Sequence, residues 1–329
     1  MILVRSDCQD PYYNLALEEY LFFQRTDLHP LFFLWQNSPT IVVGRNQNTL
    51  AEINRSFVEE KSINVVRRLS GGGAVYHDLG NLNFTFILQG VAGKGFDFAR
   101  YTRPVIKTLR KLGVQAEDNG RNDITIDGKK FSGNAQYRHQ DRLLHHGTLL
   151  FNTSLEDMVQ ALTPGQAKLE SKGIASVRSR VTNLIEHLPV GTTLADFQRE
   201  LIKNVLEEYG AGQHYFLSAE DEVQVEKLSA KRYRTWEWNY AQSPACNLIR
   251  SRAFPWGQME VHMDIQNGII QQCFVYGDFF TDRDIKELCA LIEGSPYMDE
   301  EIRKRLQTVD LNTFIPGLTV DHWLELILS

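Results

Sequence analysis

The sequence predicts an α/β fold built on a mixed β-sheet, with a second, smaller domain toward the C-terminus. The chain has 329 residues, which is long for one ordinary domain and favours two. Its hydrophobic fraction of 43% and charged fraction of 23% are typical of a globular protein. Strand-like and helix-like segments follow one another without strict alternation, and this favours a mixed sheet over a barrel.

The first half of the chain contains most of the predicted strands. Helices are predicted at residues 14–23, 51–61, 96–112 and 155–162, and strands at residues 31–35, 40–43, 63–66, 82–88, 123–126, 129–131 and 146–152. The turn Asn37-Ser38-Pro39 indicates a hairpin or tight return between its two flanking strands. Alternation in residues 82–88 indicates a half-buried strand. Asp127-Gly128 predicts a hairpin turn.

The second half contains two long predicted helices and then a second unit. The helices are at residues 194–209 and 219–230, and a linker is predicted at residues 242–244. Strands at 259–265 and 269–276 flank Asn267-Gly268. We therefore divide the chain into a large N-terminal domain, residues 1–246, and a small C-terminal domain, residues 247–329. The latter holds 7 Lys/Arg against 13 Asp/Glu, whereas residues 1–246 hold 28 of each.

The sequence argues against several classes of protein and location. A net charge of −6 argues against a protein whose main role is to bind nucleic acid. No run of about 18 apolar residues occurs, so we expect no membrane span, and residues 1–14 contain no signal-peptide core. The four cysteines have no CxxC spacing, which suggests neither disulfides nor zinc and fits a reducing cytosol. We expect a cytoplasmic monomer.

Residues 67–77 (RRLSGGGAVYH) form the first candidate site. Three successive glycines leave the peptide N–H groups open to close approach by phosphate or carboxylate oxygens. Arg67 and Arg68 offer two planar forks for phosphate, and Ser70 adds a hydroxyl. A tight turn with two surface arginines is the simpler interpretation of the same residues. No P-loop, GxGxxG or kinase pattern is present, so any use of ATP follows another route.

A second polar cluster runs from Asn122 and Asp123 to a pair of lysines. The ammonium group of either Lys129 or Lys130 can bind a carboxylate or phosphate oxygen. It can then stabilise the negative charge that develops when a carboxylate attacks an α-phosphate. Asp123 can hold Mg²⁺ or orient the lysine. A solvated hairpin is the alternative for this cluster.

Pairs of histidines and tryptophans are the remaining candidates for a functional role. His145 and His146 are adjacent on a predicted strand and point to opposite faces, so they are not expected to share a metal ion. Trp236 and Trp238 are expected to share one face of a strand and pack in the core. None of the four cysteines lies between residues 60 and 155, which argues against a thioester mechanism at these clusters.

Taken together, these stretches resemble the lipoate–protein ligase A family of the biotin/lipoate ligase superfamily. The pair RRxSGGGAVYHD and KxSG, some sixty residues apart, is highly specific. The similar segments are residues 10–22, 39–49, 67–86, 120–136, 145–152, 176–184 and 235–245, in family order across about three quarters of the chain.

The resemblance implies a two-step reaction. Lipoate and Mg·ATP give lipoyl-AMP and pyrophosphate, and the ε-amine of a lysine on an acceptor domain then attacks the anhydride. Acceptors in the family are lipoyl domains of 2-oxoacid dehydrogenase E2 subunits and the glycine-cleavage H protein. The implied fold is the mixed α/β catalytic domain shared with biotin ligases plus a small C-terminal α+β domain.

The resemblance also implies site residues. Lys130 matches the essential lysine that contacts the carboxylate and later the adenylate. The nucleotide-binding positions are Arg68, Gly73, Ala74, Val75, Tyr76, Asn122 and Asp123, with Asp123 also the metal candidate. The lipoate-binding positions are Ser70, Gly73, His77, Lys130 and His146. An apolar slot for the acyl chain is expected from residues 82–88 and residues near Val43.

Other functions compatible with these residues are a lipoyl or octanoyl transferase of the same fold and a non-catalytic lipoate-binding protein. The transferases use an active-site cysteine, and the positions of Cys8, Cys246, Cys273 and Cys289 argue against one here. The lysine cluster favours a ligase over a carrier. Residues 67–77 resemble lipoate enzymes rather than biotin enzymes.

Overall fold

The structure of the protein is a computed structural model. The structure describes residues 1–91, 96–162, 180–210, 212–240 and 247–328. The predicted linker at 242–244 and Cys246 lie outside these ranges, as do parts of two segments that resemble the ligase family (176–179 and 241–245).

The described part of residues 1–240 combines eleven strands with eight α-helices. The strands are β1 (Ile2–Arg5), β2 (Leu31–Trp35), β3 (Thr40–Val43), β4 (Asn64–Arg67), β5 (Val75–His77), β6 (Asn81–Leu88), β7 (Ala116–Asp118), β8 (Asp123–Ile126), β9 (Lys129–His139), β10 (Arg142–Leu150) and β11 (Gln213–Phe216). The helices are α1 (Pro11–Phe23), α2 (Thr49–Glu52), α3 (Arg55–Glu60), α4 (Ala99–Lys111), α5 (Leu155–Ala161), α6 (Leu194–Tyr209), α7 (Ala219–Leu228) and α8 (Trp236–Asn239).

A central eight-stranded sheet separates two apolar cores. Its strand order is β11-β1-β2-β6-β10-β9-β8-β7, with β1 parallel to its neighbours and the other pairs antiparallel. Because successive side chains on a strand point to opposite faces, Phe32 packs in the core beneath α4 and α6, whereas Phe33 packs in the core beneath α1. The mixed α/β prediction is confirmed.

A small three-stranded sheet, β4-β3-β5, lies beside the central sheet. The predicted hairpin between residues 31–35 and 40–43 is therefore wrong, because β2 pairs with β1 and β6 while β3 pairs with β4 and β5. The turn at Asn37 redirects the chain into a different sheet. We call residues 71–73, which lie between β4 and β5, the glycine bend. Because β4 and β5 belong to the small sheet, the glycine bend lies opposite a face of the central sheet.

Other sequence predictions are confirmed or corrected in detail. The helix at 194–209 is confirmed, as is the hairpin at Asp127-Gly128, where both residues have positive φ. The helix predicted at 51–61 is two short helices, because Ile53 is extended. The strand β6 is buried at all eight positions rather than half-buried, because helices cover one face and the small sheet covers part of the other.

The tryptophan prediction is also wrong. Trp236 and Trp238 lie on the short helix α8, and Trp236 is 63% exposed. Trp238 donates from its indole N–H to the carbonyl oxygen of Arg67 at 2.9 Å. This helix thus lies against the start of the glycine bend, where it has a structural role.

Residues 248–328 form their own three-stranded sheet, β12 (Leu248–Phe254), β13 (Gly257–Gln266) and β14 (Ile269–Gly277), of which β12 was not predicted. Three α-helices follow, α9 (Ile285–Ile292), α10 (Asp299–Leu306) and α11 (Val320–Leu328). A separate apolar core joins sheet and helices. None of the helices in the described ranges combines the length and apolar composition that a membrane span needs.

Candidate active site

A cleft lies between the central sheet and the small sheet with its glycine bend. It contains about 580 Å³ of space between protein atoms, a volume that includes open solvent. Eight predicted site residues line it: Arg68, Gly73, Ala74, Val75, His77, Asn122, Lys130 and His146. Segments far apart in the sequence therefore meet at one site.

Arg68 holds the glycine bend from within. Its guanidinium donates to the carbonyl oxygens of Val42 (3.0 Å), Gly71 (2.7 Å) and Gly73 (2.8 Å) and to Ser70 Oγ (3.0 Å). Burial lowers the pKa of Arg68 to about 10, so it remains charged at neutral pH. These hydrogen bonds to backbone carbonyl oxygens fix the conformation of the bend.

The expectation that both arginines present free guanidinium groups to phosphate is wrong. Each guanidinium nitrogen of Arg68 already donates a hydrogen bond within the protein, and Arg67 is fully buried and does not line the cleft. The N–H groups of Arg67 donate to backbone carbonyl oxygens of the neighbouring loop and of α8, and to a threonine hydroxyl. The acceptors are Gly44, Arg45, Gln47, Trp238 and Asn239 carbonyls and Thr49 Oγ1. Burial lowers the pKa of Arg67 to about 10. Its role is structural.

The glycines of the bend are required by close backbone contacts. A Cβ on Gly71 would lie 2.3 Å from the carbonyl oxygen of Phe279, and Gly72 has φ +90°. The Gly72 N–H donates to that same Phe279 oxygen at 3.3 Å. Part of the bend thus contacts the C-terminal region in this structure, while Gly73, Ala74 and Val75 line the cleft.

Lys130, rather than Lys129, reaches the cleft. Its ammonium lies 2.8 Å from Asp123 Oδ1, and its side chain is 40% exposed. The Nζ also lies 3.0 Å from the position a Cβ would take on Gly133, so a larger residue there would crowd it. Backbone hydrogen bonds with Arg180 and Thr182 fix this part of β9. The lysine is therefore a partly solvated cation at the cleft mouth.

A buried chain of hydrogen bonds holds His146. Its Nδ1 lies 2.9 Å from both carboxylate oxygens of Glu18, and its Nε2 lies 2.6 Å from Ser70 Oγ. Glu18 also accepts from Thr85 Oγ1 at 2.8 Å. Ser70 is behind His146 and does not line the cleft. The chain joins α1, the central sheet and the glycine bend.

His145 points away from this site, as predicted for neighbours on a strand. Its ring lies 5.1 Å from the ring of Tyr101 and 5.7 Å from that of Phe84, and burial lowers its pKa well below the usual value. Tyr76 likewise points into the core beside the small sheet, while its neighbours Val75 and His77 line the cleft. Only the backbone of Tyr76 is then available to a ligand.

His77 is a neutral residue whose environment fixes its tautomer. Asn14 Nδ2 donates to two backbone carbonyls, Cys8 and Gln36, and to Asn37 Oδ1. The amide nitrogen of Asn37 is therefore the atom 3.1 Å from His77 Nδ1, which must accept. Burial, with the charges of neighbouring groups, lowers the pKa of His77 to about 3.

Several lining residues were missed by the sequence. They are Leu15, Trp35, Asn134 and Thr148, together with Glu18, which supports His146. Asn134 and Thr148 lie inside segments that resemble the ligase family, so that signal was present. The predicted acyl slot is correct for Val42, next to Val43. It is wrong for residues 82–88, which contribute only Asn83, because their apolar side chains pack in the cores.

Neither a thiol nor a metal cluster is found at the cleft within the described ranges. No lining residue is a cysteine, and the three described cysteines lie elsewhere. No group of three His, Cys, Asp or Glu side chains there comes together as metal ligands. Asp123, predicted to hold Mg²⁺ or to orient the lysine, pairs with Lys130.

Residues 247–328 contact the glycine bend and the segments beside it. The aromatic ring of Phe280 lies 5.3 Å from that of Phe98, and Arg45 Nη2 lies 3.0 Å from Asp284 Oδ2. The N–H of Gly277 donates to the Asn46 carbonyl at 3.0 Å. The C-terminal region therefore touches the glycine bend and the loop beside it.

Comparisons with known proteins agree with this architecture. The family described as "Lipoyl protein ligase A/B catalytic domain" matches residues 10–206, and "Bacterial lipoate protein ligase C-terminus" matches residues 243–327. The chain is 41% identical to lipoate-protein ligase LplJ of Bacillus subtilis, covering 99% of both chains. It is 40% identical to lipoate–protein ligase 1 of Staphylococcus aureus, covering 93% of both.

Solved structures show the same likeness. P. falciparum LipL1 in complex with lipoate superposes with a TM-score of 0.80 at 28% identity, covering 94% of each chain. Lipoate-protein ligase A bound with ATP superposes with a TM-score of 0.62 at 26% identity, covering 72% of this chain and 97% of the other. The two family models together cover most of the chain, and the relatives named lipoate-protein ligases match it at about 40% identity over nearly its whole length, so this chain belongs to the lipoate–protein ligase family.

Proposed function

We propose that this enzyme activates lipoate with ATP and transfers the lipoyl group to a lysine of an acceptor domain. The observation that carries the proposal is the Lys130 ammonium at the mouth of a cleft whose other wall is the glycine bend. Relatives named lipoate-protein ligases, and solved relatives described with bound lipoate and with bound ATP, support the same reaction.

In the first step, Lys130 binds the lipoate carboxylate and holds it against the α-phosphate of ATP. A carboxylate oxygen forms a bond to the α-phosphorus, the bond to the β-phosphate oxygen breaks, and pyrophosphate leaves. Positive charge and backbone N–H groups stabilise the negative charge that develops at phosphorus. Gly73, Ala74, Val75 and the backbone of Tyr76 are the proposed phosphate contacts.

In the second step, the ε-amine of an acceptor lysine forms a bond to the acyl carbon. The bond to the phosphate oxygen breaks, AMP leaves, and the nitrogen gives up a proton to solvent. Because AMP is a good leaving group, no cysteine nucleophile is needed. The proposed acceptors are the lipoyl domains of 2-oxoacid dehydrogenase E2 subunits and the glycine-cleavage H protein.

Mg²⁺ enters with ATP as part of the substrate. The phosphate oxygens would provide most of its ligands, and Asp123 and Asn122 are the nearby oxygen-bearing side chains that suit a hard cation. The remaining proposals are that the protein is a cytoplasmic monomer and that residues 1–246 and 247–329 are its two domains.

The C-terminal domain would re-pack during the cycle. In this structure the Gly72 N–H donates to the Phe279 carbonyl oxygen, directly beside the proposed phosphate contacts, so we expect nucleotide binding to disturb this contact. Solution scattering should therefore differ between the free protein and the lipoyl-AMP complex. Indistinguishable profiles would contradict this part of the proposal.

The central test is lipoate-dependent exchange of labelled pyrophosphate into ATP. Exchange that requires lipoate is expected, because adenylate formation is reversible on the enzyme. A transferase or a carrier gives none, so absence of exchange with both lipoate and octanoate would overturn the ligase proposal. Offering lipoate and ATP with a panel of acceptor domains, read by mass, would then identify the acceptors.

A further inference from the structure

The inner end of the cleft contains two unpartnered hydrogen-bond donors. His77 is 3% exposed and Asn83 is 2% exposed, and both line the cleft. His77 Nε2 and Asn83 Nδ2 have no partner in the part of the chain that the structure describes. A buried donor without an acceptor is costly, so such groups in a binding cleft point to a ligand atom that accepts from them.

The hydrogen bonds behind His77 determine which of its nitrogens faces the cleft. Asn37 donates to Nδ1, and because the ring is neutral with a lowered pKa, the proton is on Nε2. Asn83 Oδ1 accepts from Asn81 Nδ2 at 3.0 Å, so its own Nδ2 is the end without a partner. Both residues therefore offer N–H groups.

The position of these donors relative to Lys130 follows from the register of the central sheet. Lys130 Nζ stands over Gly133, whose N–H donates to Thr148 Oγ1 at 3.2 Å. Thr148 pairs with Asn83, which pairs with Trp35. Since neighbouring strands are about 4.8 Å apart, Asn83 lies about 10 Å across the sheet from Gly133.

His77 lies beside Trp35 at this inner end, with 6.0 Å between the ring centroids. The other neighbours there are the apolar Leu15 and Val42. An acyl chain whose carboxylate is at Lys130 would thus place its far end among apolar groups and two N–H donors. A plain hydrocarbon end fits the apolar groups but leaves the donors unpaired, whereas divalent sulfur is polarizable and accepts weak hydrogen bonds.

We infer that His77 donates a hydrogen bond from Nε2 to a sulfur of the lipoyl dithiolane ring, with Asn83 as a second donor. The site then prefers lipoate to octanoate because octanoate leaves a buried N–H without an acceptor. This inference rests on the proposed function and names the residue that determines its acyl specificity.

The test compares two substitutions at one position in the full-length enzyme. The side-chain amide of His77→Gln keeps an N–H near the position of His77 Nε2. The shorter side chain of His77→Asn reaches only the position of Nδ1, which faces Asn37, and has no N–H at the position of Nε2. The ratio of kcat/KM for lipoate to kcat/KM for octanoate, measured by pyrophosphate exchange, should fall on the order of tenfold in His77→Asn. It should fall much less in His77→Gln. His214→Asn, an exposed histidine outside the cleft, is the matched control.

A purely structural role gives a different result. Loss of packing would lower kcat/KM for both acids by the same factor and leave the ratio unchanged, and that outcome would overturn the inference. If wild-type protein shows no exchange with either acid, the proposed function itself fails. The inference can then still be tested by calorimetric binding of lipoate and octanoate.

An NMR measurement provides an independent check. In protein with ¹⁵N-labelled histidine, His77 should show the Nε2–H tautomer, and lipoate should shift its Nε2 resonance more than octanoate does. Equal shifts with the two acids, or an Nδ1–H tautomer, would contradict the inference.

Discussion

The two ends of the cleft differ in charge, burial and rigidity. At the mouth, the Lys130 ammonium is 40% exposed and has one close partner, Asp123. At the inner end, His77 and His146 are buried and held by hydrogen bonds that extend back to α1. The difference indicates a division of roles: the mouth carries a partly solvated charge for the reacting groups, and the inner end carries a hydrogen-bonded shape for the acyl group.

The largest expected effect is at the mouth. Lys130→Ala should lower lipoate-dependent pyrophosphate exchange at least about 100-fold, because it removes the cation placed at the reacting carboxylate. The thermal midpoint should change little, since the side chain is partly exposed. Lys129→Ala is the matched control, with near-normal exchange expected. Similar losses in both variants would mean that neither lysine has the specific role assigned to Lys130.

The next effect is at the inner end, where loss of the Glu18 carboxylate should lower stability. Glu18→Leu leaves His146 Nδ1 and Thr85 Oγ1 without their acceptor in a buried place. The free energy of unfolding in urea should fall by about 2–4 kcal/mol. Glu60→Leu, on the surface, should change it by less than about 0.5 kcal/mol. Equal losses of unfolding free energy in the two variants would show that the hydrogen bonds of Glu18 add no specific stability.

Acid should destabilise the inner end through His77. Its folded pKa is about 3, below the unfolded value, so between these values the unfolded chain binds the proton and the folded protein does not. Stability therefore falls as pH drops below about 6.5, by up to about 1.4 kcal/mol per pH unit from this group. His145 acts in the same direction. Urea unfolding between pH 7 and 5 should show a shallower slope in His77→Gln, and an unchanged slope would contradict this.

The smallest effect is expected where the C-terminal region meets the mouth. Arg45 and Asp284 are paired at 3.0 Å, but their side chains are 27% and 40% exposed. Asp284→Asn should therefore lower the free energy of unfolding by less than about 1 kcal/mol. A loss of several kcal/mol in urea unfolding would show that this pair dominates the contact between the two regions.

The sequence predicted local features well and tertiary ones less well. The helix at 194–209 and the turn at Asp127-Gly128 follow from periodicity and turn chemistry, and both are confirmed. The hairpin between residues 31–35 and 40–43 failed, because a turn does not determine which strands pair. Trp236 failed because a strand was assumed where a short capped helix forms.

The same limit applies to the site. Residues within the glycine bend and the lysine cluster could be identified because each lies in a contiguous polar segment. Glu18 could not, because in the sequence it is one acid of a helix, and only the packing of α1 against the sheet buries it. Arg67 was assigned to phosphate because its neighbours suggest an anion site, yet backbone carbonyls from distant segments occupy its donors.

The burial of Arg67 sets a limit on how the chain can be shortened. Its Nε and Nη2 groups donate to carbonyl oxygens of Trp238 and Asn239, and its backbone N–H donates to Asn239 Oδ1 at 2.9 Å. The catalytic family match ends at residue 206. A fragment cut there would leave a cation in the interior with several donors unsatisfied, directly beneath the glycine bend. The smallest fragment expected to keep a formed bend therefore extends through α8, to residue 239.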